Sequence, residues 1–276
     1  MRIIFASMLL LAAACQRQFD PAEHVRPMFD GARTAKMPAA KIAHGERLSW
    51  VLGCHGCHGK GLEGQLWDDN PNEYGIMWAS NLTRAVPAMT DQQLRDVLVR
   101  GVHPKRKDLW VMPSELFHHL APADLDALIA YLRTVPPSGD VSPDPKPGPR
   151  ALREISSGQA KPAAQLVREL AAPGPVDLGP RYAMGRYITS VTCAECHGYK
   201  LEGHTDDEGA TPNLVVAGGY SREEFERFLT TGVPSGNRKL KDELMAIVAK
   251  SRFSKMTRHE RDALYAYLKA RAERPQ

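Results

Sequence analysis

Two five-residue motifs contain the side chains best suited to chemistry in this chain. They are Cys54-His55-Gly56-Cys57-His58 and Cys193-Ala194-Glu195-Cys196-His197. Two thiols separated by two residues can reach the two vinyl groups along one edge of a porphyrin, and the His that follows is then held beneath the iron. This spacing predicts two covalently bound c-type haems. The attaching cysteines are Cys54, Cys57, Cys193 and Cys196, and the iron-binding histidines are His58 and His197.

The other cysteine chemistries fit the chain poorly. The one cysteine outside the two motifs is Cys15. No cysteines are therefore left for a disulfide framework or a four-thiolate zinc site. A thioredoxin-like site would need one C-x-x-C without a trailing His, in an alternating strand and helix context, and the chain shows no strand-rich stretches. His55 lies between the first two cysteines. We expect its side chain to point away from the iron, toward solvent or a haem propionate.

Length and composition set broad limits on the class of protein. The chain has 276 residues, which suggests one large or two modest domains. Hydrophobic residues make up 43% of it and charged residues 25%, so folded cores are expected. The formal net charge of +4 is too small to indicate nucleic-acid binding, and no long basic run is interleaved with aromatics. We expect no nucleic-acid partner.

The chain repeats itself. Gly59-Lys60-Gly61-Leu62-Glu63-Gly64 follows the first motif, and Gly198-Tyr199-Lys200-Leu201-Glu202-Gly203 follows the second. Further landmarks recur in the same order, with small differences in spacing that indicate loop insertions. They are Asn81-Leu82 with Asn213-Leu214, Gly101-Val102 with Gly232-Val233, and 124–132 with 260–268. This order predicts a duplication of one unit.

Each unit is predicted to consist of helices joined by long loops. Apolar residues at helical spacing occupy 48–52 before the first motif, and 94–98 behind Thr90-Asp91, a typical helix start. A further helix is expected over 121–133, ending before Pro136-Pro137. The stretch 59–87 has little periodicity, and a compact domain rarely tolerates such a loop without an internal filler. A haem would fill it.

The segment between the units should behave differently from both. Pro, Ser and Gly are frequent from Val135 to Pro149, which predicts a semi-rigid, extended tether. Residues 151–171 could form a helix, and Pro162 near the middle predicts that it is in two pieces.

The amino-terminal residues have the pattern of an export signal. Arg2 precedes a short apolar run, Ile3 to Ala14, which is too short to span a bilayer. Ala12-Ala13-Ala14 before Cys15 resembles a lipoprotein cleavage box, although Leu is usual where Ala12 stands. The alternative is an ordinary cleaved signal with an incidental Cys. We therefore expect a periplasmic protein whose membrane contact, if it has one, is a lipid on Cys15.

With both motifs and the duplication in view, the two units resemble class I c-type cytochrome domains, in the di-haem arrangement found in bacterial electron-transfer subunits. The resemblance covers about 40–135 and 178–270. It implies an all-α fold of two tandem cytochrome c domains, each a few helices wrapped around one haem. The expected boundaries are 1–15 for the export signal, 38–135 for the first domain, 136–177 for the Pro-rich linker with short helices, and 178–272 for the second domain.

The resemblance also implies a Met as the sixth iron ligand, on a loop before the last helix. In the first unit Met112-Pro113 fits this position. In the second unit no Met stands at the position equivalent to Met112, and Met245 is preferred because it follows the family's Leu-Met-x-x-Val variant. The competitors are Met77 and Met89 in the first unit, and Met256 and His259 in the second. His259 falls on the last helix and is expected to be exposed.

Two looser family marks concern the surroundings of each haem. A Pro-Asn-Leu sequence, here Pro212-Asn213-Leu214, offers the Pro carbonyl to the iron-binding His. Ser80-Asn81-Leu82 departs by one residue, but a carbonyl from any residue could accept the same bond. The second mark is a Gly in the first helix of each unit, where the last helix crosses closely. An aromatic residue of the last helix lies over this Gly. These pairs are Gly45 with Tyr131 and Gly185 with Tyr267.

Two haems with His and Met ligands would leave no open coordination position, which favours electron transfer over catalysis. We expect a carrier of electrons between a dehydrogenase or quinol-linked donor and a downstream acceptor, either free or as a subunit of such a complex. The alternative is a haem enzyme of the thiosulfate dehydrogenase or peroxidase type, with one catalytic haem and an unusual sixth ligand.

A basic loop is the candidate docking site for a redox partner protein. Lys105, Arg106 and Lys107 lie between the middle helix and Met112, so we expect them near the exposed edge of the first haem. Charges there would steer an acidic partner and raise the association rate at low salt. The alternative is that they are solvated loop residues or propionate partners. The residues in the corresponding place of the second unit are Arg238, Lys239 and Lys241.

Overall fold

The computed structural model describes residues 26–170, 174–206, 209–237 and 243–274. The expectation of a mainly helical chain is confirmed. Through the first unit (38–135) the helices are α1 (Pro38–Val51), α2 (Cys54–Cys57), α3 (Leu82–Ala85), α4 (Asp91–Arg100), α5 (Ser114–Phe117) and α6 (Pro122–Leu132). After it come α7 (Pro149–Ser157), α8 (Ala163–Glu169), α9 (Ala183–Ile188), α10 (Ala194–His197), α11 (Arg222–Thr231), α12 (Leu244–Ser251) and α13 (Arg258–Ala272). Short 3-10 segments cover Val86–Ala88, Pro180–Tyr182, Leu214–Gly219, Ser235–Asn237 and Phe253–Lys255.

The predicted start of the middle helix is confirmed, and its counterpart begins in the same way. The Thr90 side chain caps α4 and exchanges hydrogen bonds with Gln93, in a capping box. Ser221 and Glu224 form the equivalent box at the start of α11. Both helices end at a glycine in the left-handed region, and one of these is Gly101 with φ of 65°.

The first and last helices of each unit cross at a glycine, as the family resemblance implied. A Cβ added to Gly45 of α1 would lie 1.9 Å from the Ala127 carbonyl oxygen of α6. A Cβ added to Gly185 of α9 would lie 2.2 Å from the Ala263 carbonyl oxygen of α13. The aromatics beside these glycines are Tyr131 and Tyr267, as expected. Only a residue without a side chain permits backbones to approach this closely.

The structure corrects the expectation of an irregular loop over 59–87. This stretch contains an antiparallel hairpin of β1 (Gln65–Asn70) and β2 (Gly75–Ala79), and β2 also pairs with β3 (Lys146–Pro147). A second hairpin joins β4 (His204–Asp206) to β5 (Gly209–Thr211). Most of β1 is exposed and the hairpin carries an irregularity between Leu66 and Asp68. Without a buried face, these strands have no alternation of apolar and polar residues to predict them.

The linker is also not the extended tether that was expected. The Asn81 side-chain amide donates to the carbonyls of Ser138 and Asp140, each at 2.8 Å. Further along, the Ala163 amide donates to the Leu109 carbonyl at 2.8 Å. The predicted break at Pro162 is confirmed, because α7 and α8 lie on either side of it. The linker therefore lies against the first unit along much of its length.

Two buried carboxylates join the first unit to the second. Asp124, the third residue of α6, accepts hydrogen bonds from His44 Nε2 at 2.8 Å and from the Tyr187 hydroxyl of α9 at 2.7 Å. Glu260, the third residue of α13, accepts two from the Arg47 guanidinium of α1, at 2.7 and 3.0 Å. Each last helix therefore binds the first helix of the other unit, through the same helix position.

Among the described residues, every helix is too short or too polar to cross a membrane. The predicted export signal over 1–15, including Cys15, lies outside the described residues.

Candidate functional site

Both predicted iron-binding histidines are held by a backbone carbonyl. His58 Nδ1 lies 2.7 Å from the Ser80 carbonyl oxygen, and His197 Nδ1 lies 2.9 Å from that of Pro212. A carbonyl can only accept, so in both rings the proton is on Nδ1 and the Nε2 lone pair is free to bind a metal. Burial lowers the pKa of both imidazoles, which keeps them in the neutral form that a metal needs. The expected carbonyl bonds are confirmed, including the one from Ser80.

The cysteines of each motif are one helical turn apart. Cys54 is the first residue of α2 and Cys57 is its last. Cys193 directly precedes α10, and Cys196 is the third residue of that helix. Residues three apart share a helix face, so each pair presents its thiols to the same side. Burial raises the pKa of Cys54 to about 12 and that of Cys193 to about 11. The thiolate form, which binds metal ions directly, is therefore disfavoured at these two positions.

The backbone before each motif has a special conformation that the sequence did not indicate. Gly53 precedes Cys54 with φ of 83°, in the left-handed region that favours glycine. Ahead of the second motif the chain forms a π-helical turn over Thr189–Cys193. Such turns are frequent at functional sites.

The second motif opens onto a cavity of about 690 Å³. Its walls are mainly apolar and aromatic, and it lies between α10, α11, α12 and α13. The lining includes the cysteines, His197, Met245, Glu243 and Arg252. Its aromatic side chains are Tyr220, Phe225, Phe228 and Phe253. The volume is within the usual range for a cofactor site, about 300–1,000 Å³.

The candidates for the sixth ligand of the second unit occupy different places. Met245 on α12 lines the same cavity as His197. Met256 is absent from that lining and is 3% exposed, in the core just before α13. His259 is exposed, as expected, and its Nδ1 pairs with Asp30 at 2.9 Å. Met245 is therefore the candidate that shares a cavity with the motif.

In the first unit, Met112 is partly buried and packs against the core. The residue before it, Val111, has φ of 67° and is 66% exposed. A β-branched residue in this region is strained, and such strain is concentrated at ligand-binding segments. Met77 and Met89 are half-buried on β2 and after the Val86–Ala88 turn. The choice of Met112 over these two stays a prediction.

The expectation that His55 faces solvent or a propionate is wrong. The side chain is buried and stacks on Trp50, with ring centroids 3.8 Å apart. Its Nδ1 lies 2.8 Å from the Lys60 carbonyl oxygen and its Nε2 lies 2.8 Å from the Ser49 hydroxyl. With both ring nitrogens engaged by the chain, neither is left for a propionate. Sequence spacing could not reveal this, because Ser49 and Trp50 precede the motif on a different helix.

Arg252 is a site residue that the sequence did not identify. It ends α12, lines the cavity of the second motif and pairs with Glu195 inside that motif at 2.7 Å. Its Nε also donates to the Val51 carbonyl, just before the first motif, at 3.1 Å. One side chain therefore touches the surroundings of both motifs.

The basic loop lies beside the first motif. Lys105 and Lys107 are exposed, whereas Arg106 is half-buried. Arg106 donates to the Ser80 hydroxyl at 3.3 Å and pairs with Asp144 at 3.2 Å. The loop therefore contacts the residue that holds His58, and its two lysines are free to meet solvent. Arg238, Lys239 and Lys241 lie outside the described residues.

Comparison with known proteins identifies a distant relative. No family model matches this chain. A curated protein of Cereibacter sphaeroides, described as "Diheme cytochrome c-type", is 25% identical to it over 263 residues. The match covers 83% of this chain and 85% of that protein.

Proposed function

We propose that this chain is a di-haem c-type cytochrome that transfers electrons. The observation that carries the proposal is the pair of C-x-x-C-H motifs whose histidines each donate Nδ1–H to a backbone carbonyl, at 2.7 and 2.9 Å. This bond leaves Nε2 free and makes the imidazole a better iron ligand. The similarity to a protein described as a diheme cytochrome c-type, over most of both chains, supports the same assignment.

The residues of the second unit fit a haem. The cavity is mainly apolar, its size suits a cofactor, and both cysteines and His197 line it. Cys193 and Cys196 would attach the porphyrin and His197 and Met245 would bind its iron. In the first unit the same roles fall to Cys54, Cys57, His58 and Met112. When bound, each haem supplies an iron that takes up and gives away one electron.

Electron transfer is favoured over catalysis because Met245 shares the cavity with His197. A Met and a His together would complete the coordination of the iron and leave no position for a substrate. We infer that donor and acceptor are redox proteins, such as a dehydrogenase or quinol-linked donor, and that the chain serves them as a shuttle or as a subunit. The exposed Lys105 and Lys107 beside Arg106 are the proposed contact for an acidic partner.

The proposed architecture is two tandem class I cytochrome domains, over 38–135 and 178–272. The order of elements supports it. In both units a first helix, the motif, a hairpin, a middle helix with a capping box, and a last helix follow each other. The first and last helices also cross closely at a glycine in each unit, Gly45 in the first and Gly185 in the second, which further supports two similar domains.

The proposed location is the periplasm, because c-type haem attachment suits an exported chain and the apolar run after Arg2 is typical of an export signal. A lipid on Cys15 would hold the protein at a membrane. Cell fractionation tests both ideas. Wild type should be in the membrane fraction and Cys15→Ser in the soluble periplasm, whereas a cytoplasmic signal for wild type would contradict export.

The test of function uses protein produced with a c-type haem maturation system. The reduced protein should give low-spin spectra at both haems that carbon monoxide does not change, because both irons are fully ligated. Ascorbate or dithionite should add two electrons per chain. A haem that binds carbon monoxide at once would favour the haem enzyme, of thiosulfate dehydrogenase or peroxidase type, over a carrier.

A further inference from the structure

Arg252 connects the two motifs more directly than any other feature of the described contact between the units. Its Nη1 donates to Glu195 Oε2 at 2.7 Å, and Glu195 stands between the two cysteines of the second motif. Its Nε donates to the Val51 carbonyl at 3.1 Å, three residues before the first motif. The guanidinium is thus fixed at two points that belong to different units.

The surroundings of Arg252 are shaped to admit its guanidinium. A Cβ on Gly53 would lie 2.7 Å from the Arg252 Cζ, so a larger residue there would displace the guanidinium from its present place. Only 12% of the Arg252 side chain is exposed. Its remaining nitrogen, Nη2, is buried and has no hydrogen-bond partner among the described residues. A buried N–H donor without a partner is unusual and is explained when a bound group supplies the acceptor or the charge that it lacks.

The guanidinium of Arg252 lies beside both attachment sites. It lines the cavity of the second motif together with Cys193 and Cys196. On its other side it lies against Gly53, the residue before Cys54. Its charge is therefore close to the attached edges of both proposed haems.

On the basis of the proposed function, we propose that Arg252 is a positioning and charge-setting residue shared by the two haem sites, and that it raises the reduction potential of both. Reduction adds one electron to an iron and makes or breaks no bond, so it removes one unit of positive charge from the site. A fixed cation nearby therefore favours the reduced form, and burial weakens the screening by water. Glu195 opposes this effect, because it places a negative charge against the same guanidinium.

The test is a spectroelectrochemical titration of the mature di-haem protein, with both potentials measured in wild type, Arg252→Gln and Glu195→Gln. In Arg252→Gln both potentials should fall, with the equilibrium between reduced and oxidised forms shifted roughly tenfold, about 59 mV for a one-electron couple. In Glu195→Gln both should rise. Arg252→Lys keeps the charge and should stay near wild type in potential.

Arg222→Gln is the matched control, because Arg222 pairs with Asp262 on the surface and is absent from the cavity lining. Its potentials should equal those of wild type. Unchanged potentials in Arg252→Gln, or a shift of one haem alone, would overturn the shared role. If Arg252→Gln does not fold, a fall instead of a rise in Glu195→Gln overturns it. Wild type without covalent haem would instead defeat the proposed function, and the two failures are distinct.

Discussion

At the scale of single residues, the ability of each motif histidine to bind iron depends on which ring nitrogen carries the proton. Both Nδ1 atoms donate to backbone carbonyls, and the acceptor residue is Pro212 in one unit and Ser80 in the other. Ser80 and Pro212 can serve alike because the bond uses the main-chain oxygen.

The assignment of Met245 as sixth ligand predicts a selective spectral change. Met245→Ala should remove the part of the weak red-end absorption band of the oxidised protein that belongs to the second haem. Met256→Ala should keep the whole band, because Met256 does not line the cavity. The measurement is the visible spectrum of the oxidised variants.

Met256→Ala is the control for this spectral experiment, and it should lower the stability of the protein instead. Met256 is 3% exposed, and truncating a buried Met costs about 2–5 kcal/mol of unfolding free energy. The assignment is wrong if Met256→Ala loses the band and Met245→Ala keeps it.

His55 should make stability depend on pH. Burial is the main cause that lowers its pKa below the usual 6.5. The unfolded chain therefore binds more protons than the folded chain as the pH falls below that value, and the free energy of unfolding should decrease there. In His55→Gln this decrease should be smaller, as measured by urea unfolding from about pH 8 to about pH 5, the range in which His titrates.

Wild type measured over the same pH range is the reference for this experiment. Burial also lowers the pKa of His58, His103, His119 and His197, so part of the slope should persist in His55→Gln. A slope identical to wild type in His55→Gln would contradict the buried, neutral imidazole.

At the scale of secondary structure, the crossing of first and last helices should be the least tolerant feature of each unit. Gly185→Ala would place a Cβ 2.2 Å from the Ala263 carbonyl oxygen. The helices would have to separate, which costs about 1–3 kcal/mol or more. Gly219→Ala is the matched control in the same unit, since a Cβ there meets nothing within 4 Å. Thermal unfolding that is equal in the two variants would contradict the crossing.

The elements that the sequence predicted are those whose signals are local. Thr90 and Asp91 marked the start of α4, the apolar spacing over 121–133 marked α6, and Pro162 marked the break between α7 and α8. The β1–β2 hairpin was missed because β1 is largely exposed and β2 is half-buried along its length, so neither strand alternates apolar and polar residues. The docking of the linker was missed because it depends on Asn81, a residue more than fifty positions away from its partners.

The candidate site divides in the same way. The spacing of the motif predicts the roles of the cysteines and histidines, and the family resemblance implied the carbonyl partners of the histidines. Arg252 could not, because its contacts with Val51 and Glu195 join positions 201 and 57 residues apart. The burial of His55 could not be predicted either. The motif indicates where the iron would bind, but not that Ser49 and Trp50 cover the His55 ring.

At the scale of the whole molecule, buried polar contacts hold the two units together. Asp124 and Glu260 are completely buried, and each accepts hydrogen bonds from the opposite unit. A buried carboxylate that loses its partners is strongly destabilising. The arrangement therefore keeps the two motifs, and Arg252 between them, in a fixed relation.

The surface of the first unit should control the rate of encounter with a redox partner. Replacing Lys105 and Lys107 with Ser should slow electron transfer to the native partner, and more so at low salt, because screening acts over about 10 Å at 0.1 M. The haem spectra should not change. The measurement is stopped-flow electron transfer at several ionic strengths.

Lys36→Ser with Lys146→Ser is the control pair, since both lysines are exposed and lie outside the basic loop. It removes the same charge and should leave the rate near wild type. A rate that does not depend on salt, or an unaffected Lys105 and Lys107 double variant, would leave the loop as solvated charge without a docking role.

The central claim is that each motif attaches one haem, and the intact mass of the denatured, mature protein tests it most directly. Wild type should carry the added mass of two haems, since thioether bonds survive denaturation. The double variant Cys193→Ala with Cys196→Ala should carry only the haem of the first motif. The double variant Cys54→Ala with Cys57→Ala should carry only the haem of the second motif. A wild-type mass without haem, together with bound zinc and no iron, would contradict the account.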